Sequence, residues 1–404
     1  MNKRNGESWR AAFKFDSLRT RLLHCWGAVG GSFGSRNGGS SSLLLFFELF
    51  MALSLSVSYF FLVRNYMSYG DPMNCNVFTA GSVKFYRLDQ PIVGDVWKGR
   101  LSGFLLSGAL TDFSLREHTF AKEQIIARLN NVFGFYHAFW LLLLFLTIIF
   151  ALRHSLFINL GIFAGLTYDI SPAAGPFFYP WDLPATLFFT LAVLFFERRH
   201  MWLMAAATCA GCFFKETVLV CAVLALFASH WKWGKRILML VGIVMVYVLG
   251  KQFLLRALHL GTATLSMGNA TNLVGLLRPT ILIYNLKVLF SPTINHVIFA
   301  NAGTLAAVLV LGWRRRFLPY MALIVAFLAG QFMYGMFNEF RIFMDVLPLS
   351  LILLSERWLE YAESGATSQW SAGLTPAWAM RKTFPVLLPM TIMLIALSTG
   401  VVAW

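Results

Sequence analysis

Charge is what this sequence has least of. Charged residues make up 13% of its 404 positions and hydrophobic residues 58%, whereas a soluble domain carries roughly 25% charge. So little charge cannot cover a water-facing surface, and the composition reads as a polytopic membrane protein. Acidic residues are scarcer still, 18 against 33 Lys and Arg, for a formal net charge of +15. In a soluble protein that excess would suggest nucleic acid. Here the basic residues sit mainly in short segments between apolar runs, where they set orientation, so nucleic acid is not an expected partner. Cysteine is sparse: Cys25, Cys75, Cys209, Cys212 and Cys221 form an odd set without framework spacing, which argues against a disulfide scaffold and a zinc site. The Cys209/Cys212 pair, in an apolar run, reads as small-residue packing. HExxH, the Walker-type phosphate loop, GxSxG and a dinucleotide-binding glycine motif with its acidic partner are missing too. Nucleotide-driven chemistry on the cytoplasmic side does not fit.

What is present is a series of apolar runs, each needing about 20 residues to span a bilayer, or fewer when shielded in a bundle. They fall at roughly 42–63, 132–152, 155–171, 183–196, 201–214, 217–230, 236–254, 296–313, 318–337, 342–355 and 383–404. The expected fold is therefore an all-α transmembrane bundle of about 11 spans. A basic, Gly- and Ser-rich leader over 1–41 precedes a transmembrane domain over 42–404, with a large first extracytoplasmic loop at 65–131 and a second outer loop at 255–295. With the N-terminus in the cytoplasm, the basic turns at 153–154, 197–200, 232–236 and 314–316 all fall inside, as positive charge prefers. The segment 278–292 reads as an outer amphipathic or re-entrant helix stopped by Pro292. In the first loop, KGRLSGFLLSGAL and FAKEQIIARLNNVF alternate apolar and polar residues at helical spacing, which predicts amphipathic surface helices with solvated charges.

Three short strings carry charge that hydrophobicity does not explain, all on the expected outer face. Ionisable groups inside membrane segments are costly and face a cavity or a partner. In GCFFKET, Lys215 and Glu216 separate two short apolar runs; they form either a local ion pair easing a hairpin turn or a phosphate site with Lys215 as its cation. In YPWDLP, Asp182 between two prolines suits a helix N-terminus, as a cap or as a lining of one cavity with Asp169. In NEFRIFMDVLP, Arg341 either grips a diphosphate or pairs with Glu339 or Asp345.

One span, a large acidic outer loop with surface helices, then many spans with short inner turns resembles the GT-C class of integral-membrane glycosyltransferases. YPWDLPATLFFTLAVLFFERR, GCFFKET and NEFRIFMDVLPLSLILL are similar to strings in bacterial multi-span members, and the resemblance covers about residues 42–355. It implies a bacterial inner-membrane protein using a polyprenyl-phosphate-linked sugar donor, with a lipid or glycan acceptor and membrane lipids around it. It further implies a loop carboxylate as base, Asp71 or Asp95, and Arg100, Lys215 and Arg341 as donor-phosphate ligands, supported by Glu216, Asp182 and Glu339. Asp71, Asp89, Asp95 and Asp182 are the oxygen ligands for a divalent metal, should one be used. The adjacent Asp-Glu pair of better-known members is missing from the loop. A transporter or flippase of an anionic lipid-linked substrate, or a non-catalytic subunit of an envelope-assembly complex, are the competing readings.

Overall fold

The computed structural model describes residues 41–69, 101–115, 122–152, 179–257, 279–290, 317–334 and 340–353, with residues 159, 162, 163 and 166 besides. Every regular element among them is helical. They are α1 (Ser41–Tyr69), α2 (Leu101–Leu115), α3 (Lys122–Thr147, continued by a π turn over Ile148–Leu152), α4 (Asp182–Glu197) and α5 (Met201–Phe214). A 3-10 helix over Glu216–Phe227 follows, then α6 (Trp233–Ala257), α7 (Pro279–Leu289), α8 (Leu318–Tyr334) and a second 3-10 helix over Phe340–Val346. The last runs on as helix over 347–353. Among the described residues three stretches are long and apolar enough to cross a membrane, Leu45–Asn65, Ala127–Phe150 and Trp233–Ala257. The expected runs at 296–313 and 383–404, and most of 155–171, lie outside the described residues.

Two expectations for the first loop change. The stretch 122–131 is not a separate surface helix but the first turns of α3, continuous with the span. The second concerns α2, where Leu106, Leu110 and Phe113 are exposed while Ser107, Thr111 and Asp112 are buried. Ser107 and Thr111 satisfy their hydroxyls on the Gly103 and Ser107 carbonyls of their own helix, so an inward polar face costs little. The buried Asp112 is thus an exception to the expectation of solvated loop charges.

The core is built around the first 3-10 helix, which packs against α4, α5, α6 and α8. Its buried residues Val218, Cys221 and Leu224, with Ala222 and Ala225 beside them, recur every third position, the period of a helix with three residues per turn. At about 2.0 Å rise per residue, 12 residues reach about 24 Å instead of about 18 Å as α-helix. That extra reach suits an apolar run short for a span. Against this helix lies Gly211 of α5, where an added Cβ would stand 2.6 Å from Val218 Cγ1 and 2.7 Å from Phe188 Cβ. The packing reading of the Cys209/Cys212 stretch is therefore the one the geometry favours. An aromatic trio completes the seam: Trp140, Phe188 and Phe214 meet with centroids 5.6 to 6.2 Å apart.

Helix α4 stops by geometry. Arg199 takes φ 61°, and the amides of Arg199 and His200 donate to the carbonyls of Phe196 and Phe195 at 2.9 and 2.8 Å. This crossed pair is a Schellman turn, in which the left-handed position is usually glycine.

Candidate functional site

The three charged strings meet at one point. Lys215 terminates α5 in an extended conformation, φ −154° and ψ 128°, which turns its side chain out of the helical path. Its Nζ lies 3.0 Å from Asp182 Oδ1 at the start of α4 and 3.1 Å from Asp345 Oδ2 on the second 3-10 helix. Lys215 is 4% exposed, Asp182 8% and Asp345 0%. Two hydroxyls complete the Asp345 carboxylate: Thr217 donates to Oδ2 at 2.7 Å, and Thr186 stands 3.1 Å from Oδ1. Thr186 Oγ1 is also 3.0 Å from the Asp182 carbonyl, so its single proton is divided between two acceptors. Among the described side chains one cation faces two carboxylates in a buried setting. Such a cluster holds only while every member is paired and hydrogen-bonded.

The Tyr179–Trp181 turn that presents Asp182 is fixed from three sides. Tyr136 of α3 donates its hydroxyl to the Pro180 carbonyl at 2.6 Å. The neighbouring His137 brings Nε2 to 3.3 Å from the Tyr179 carbonyl while Nδ1 faces the Phe133 carbonyl at 3.0 Å. Gly103 of α2 comes so close that an added Cβ would meet the Pro180 oxygen at 3.0 Å. Tyr179 and Trp181 stack on each other with centroids 4.7 Å apart.

Lys215 is therefore bridged to two distant carboxylates, rather than turned only to the adjacent Glu216. Asp182 sits in the first turn of α4 with its carboxylate on Lys215; the N-cap position is Trp181, which makes no side-chain cap bond. The capping reading of Asp182 gives way to an ion pair. Asp345, considered in the sequence only as a partner for Arg341, is committed to Lys215 and two threonines. Arg341 lies on the same 3-10 helix, its side chain outside the described residues, as are Asp71, Asp89, Asp95, Arg100, Asp169 and Glu339 altogether. Glu216 is partly buried beside the cluster, and Glu216 and Lys251 both lie within electrostatic range of Cys212.

Two ionisable groups inside candidate spans escaped the sequence reading. Glu48, fully buried in α1, accepts a bond from Asn159 Nδ2 at 2.9 Å. Lys251, buried in α6, donates to the Tyr247 hydroxyl at 3.2 Å with its ammonium 5.4 Å from the centre of that ring. Each was visible as a lone ionisable residue inside a long apolar run, a signal for a buried partner. The chain matches no protein-family profile, no curated protein and no solved structure.

Proposed function

We propose that this chain is a multi-pass glycosyltransferase of the GT-C type, with about 11 spans and its N-terminus in the cytoplasm of a bacterial inner membrane. It transfers a sugar from a polyprenyl-phosphate-linked donor to a lipid, glycan or protein acceptor on the outer face. The observation that carries this reading is the meeting of YPWDLP, GCFFKET and NEFRIFMDVLP at Lys215. These are the strings on which the resemblance rests, and nothing in their spacing requires them to touch.

In this reading Asp71 or Asp95 takes the proton of the acceptor hydroxyl as its oxygen attacks the anomeric carbon. The bond from that carbon to the donor phosphate oxygen breaks, and the polyprenyl phosphate leaves with an added negative charge. Arg100 and Arg341 meet that charge. Lys215, already between two carboxylates, contributes to phosphate binding chiefly by holding α4, α5 and the Arg341 helix in register. The direct test is sugar transfer from synthetic lipid-phosphate donors by the purified protein in detergent. Asp71→Asn and Asp95→Asn should differ sharply, one abolishing turnover and the other mild. Equal, mild effects would remove the loop carboxylate from the mechanism.

The second reading, an anionic-lipid transporter, is favoured by the same cluster, since a buried lysine bridging two helices' carboxylates can exchange partners. No product from a panel of donors and acceptors, together with movement of labelled lipid across liposomes, would replace the enzyme with the transporter. Neither activity would leave the envelope-complex subunit.

A further inference from the structure

Helices α4 and α5 end, away from the lysine cluster, in a patch of different chemistry. Asp182 and Lys215 stand at one end of the two helices, and the turn over 197–200 joins them at the other. The 14 residues of α5, at about 1.5 Å each, set the two ends about 20 Å apart. Beside that turn lies a second, over 228–236, between the first 3-10 helix and α6. The rings of Trp202 and Trp231 join them, with centroids 5.9 Å apart. Together the two turns carry five Lys and Arg against one carboxylate, Glu197.

Both turns are held in shape. In the second, Arg236 is spent on the turn itself: its Nε and Nη1 donate to the Trp231 and Leu226 carbonyls at 2.9 and 3.0 Å. Lys232 and Lys235 of the same turn are exposed. In the first, Arg199 is exposed as well, and it occupies the left-handed position at φ 61°, which glycine would adopt without strain. A cationic side chain kept at the cost of a strained backbone points to a use for that side chain. The patch also has a place in the bilayer. Trp233 opens the candidate span Trp233–Ala257, and Trp202 and Trp233 are 74% and 60% exposed. Indole rings gather at the level of lipid headgroups, where cations meet phosphate.

We propose that the two turns form a docking surface for anionic phospholipid headgroups, gripped by Arg199 from one turn and by Lys232 and Lys235 from the other. Charge complementarity selects an anion, and the exposed tryptophans select a lipid, since an acidic protein segment would offer the same charge but no hydrocarbon for the rings. The assignment is independent of the sugar-transfer reading, because binding is read without turnover.

The test uses the full-length protein in a neutral detergent, offered phosphatidylglycerol or phosphatidylcholine at equal mole fraction, with retained lipid counted by native mass spectrometry. Phosphatidylglycerol should be retained at least about tenfold over phosphatidylcholine, and each of Arg199→Gly, Lys232→Gln and Lys235→Gln should lower that ratio about fivefold, the factor for one basic residue at an anionic surface. Arg199→Gly separates binding from folding, because it relieves the left-handed residue: the variant should be more stable and yet retain less anionic lipid. Arg256→Gln, an exposed cation in the last turn of α6, is the control for unspecific attraction and should leave the ratio unchanged. Equal retention of the two lipids by the unmodified protein, a preference that survives the triple variant Arg199→Gly, Lys232→Gln, Lys235→Gln, or an equal loss in Arg256→Gln would overturn the proposal. Absence of lipid preference together with binding of a polyglutamate peptide would replace the lipid by an acidic protein partner.

Discussion

Removing Lys215 and removing Asp345 should have opposite severity, although they are partners in one ion pair. Lys215→Met strands two buried carboxylates that had stood 3.0 and 3.1 Å from its ammonium. Breaking a buried pair in this way costs about 3–5 kcal/mol. Asp345→Asn instead leaves one lysine against one aspartate, a neutral pair. Its amide oxygen keeps one threonine donor and its NH2 group faces the other hydroxyl as a donor, so the loss should be near 1 kcal/mol, the size of one ordinary hydrogen bond. The combination Lys215→Met, Asp182→Asn, Asp345→Asn carries no charge and should recover much of the loss seen in Lys215→Met. The measurement is denaturant unfolding of purified protein in a single detergent, with the variants compared as a mutant cycle. The reasoning fails if Lys215→Met costs under about 1 kcal/mol, or if Asp345→Asn is the more damaging of the two.

Three further outcomes follow from the packing. Tyr136→Phe deletes the 2.6 Å bond to the Pro180 carbonyl; it should cost about 1–1.5 kcal/mol in the same unfolding assay by loosening the Asp182 turn. Gly211→Val places new carbon against Val218 and Phe188 and should destabilise by at least about 1–3 kcal/mol, read as a lower melting temperature with detergent held constant. Arg199→Gly relieves a left-handed residue at the end of α4 and should stabilise by about 1 kcal/mol, a gain that differential scanning fluorimetry would register.

Local features of the fold were legible in the sequence because apolar runs and their punctuation are local signals. The run 201–214 is α5 to the residue, and 183–196 is α4 within one residue at each end. Where one pattern permits two windings, reading failed. The run after Glu216 is equally apolar as an α-helix or a 3-10 helix, and only packing against four neighbours selects the tighter form. At the site, Lys215, Asp182 and Asp345 each stood out as a charge in an apolar setting. Their convergence did not, since a pair 128 residues apart such as Thr217 and Asp345 leaves no periodic trace in either segment.

That separation also orders the events of synthesis. When Lys215 leaves the ribosome, Asp182 is already in the nascent chain, and the two can neutralise each other at once. Asp345 follows only after roughly 6–26 s at ordinary elongation rates. The earlier helices thus pack together around a balanced pair. Asp345 arrives last, on a segment that brings its own contacts to the threonine hydroxyls waiting for it.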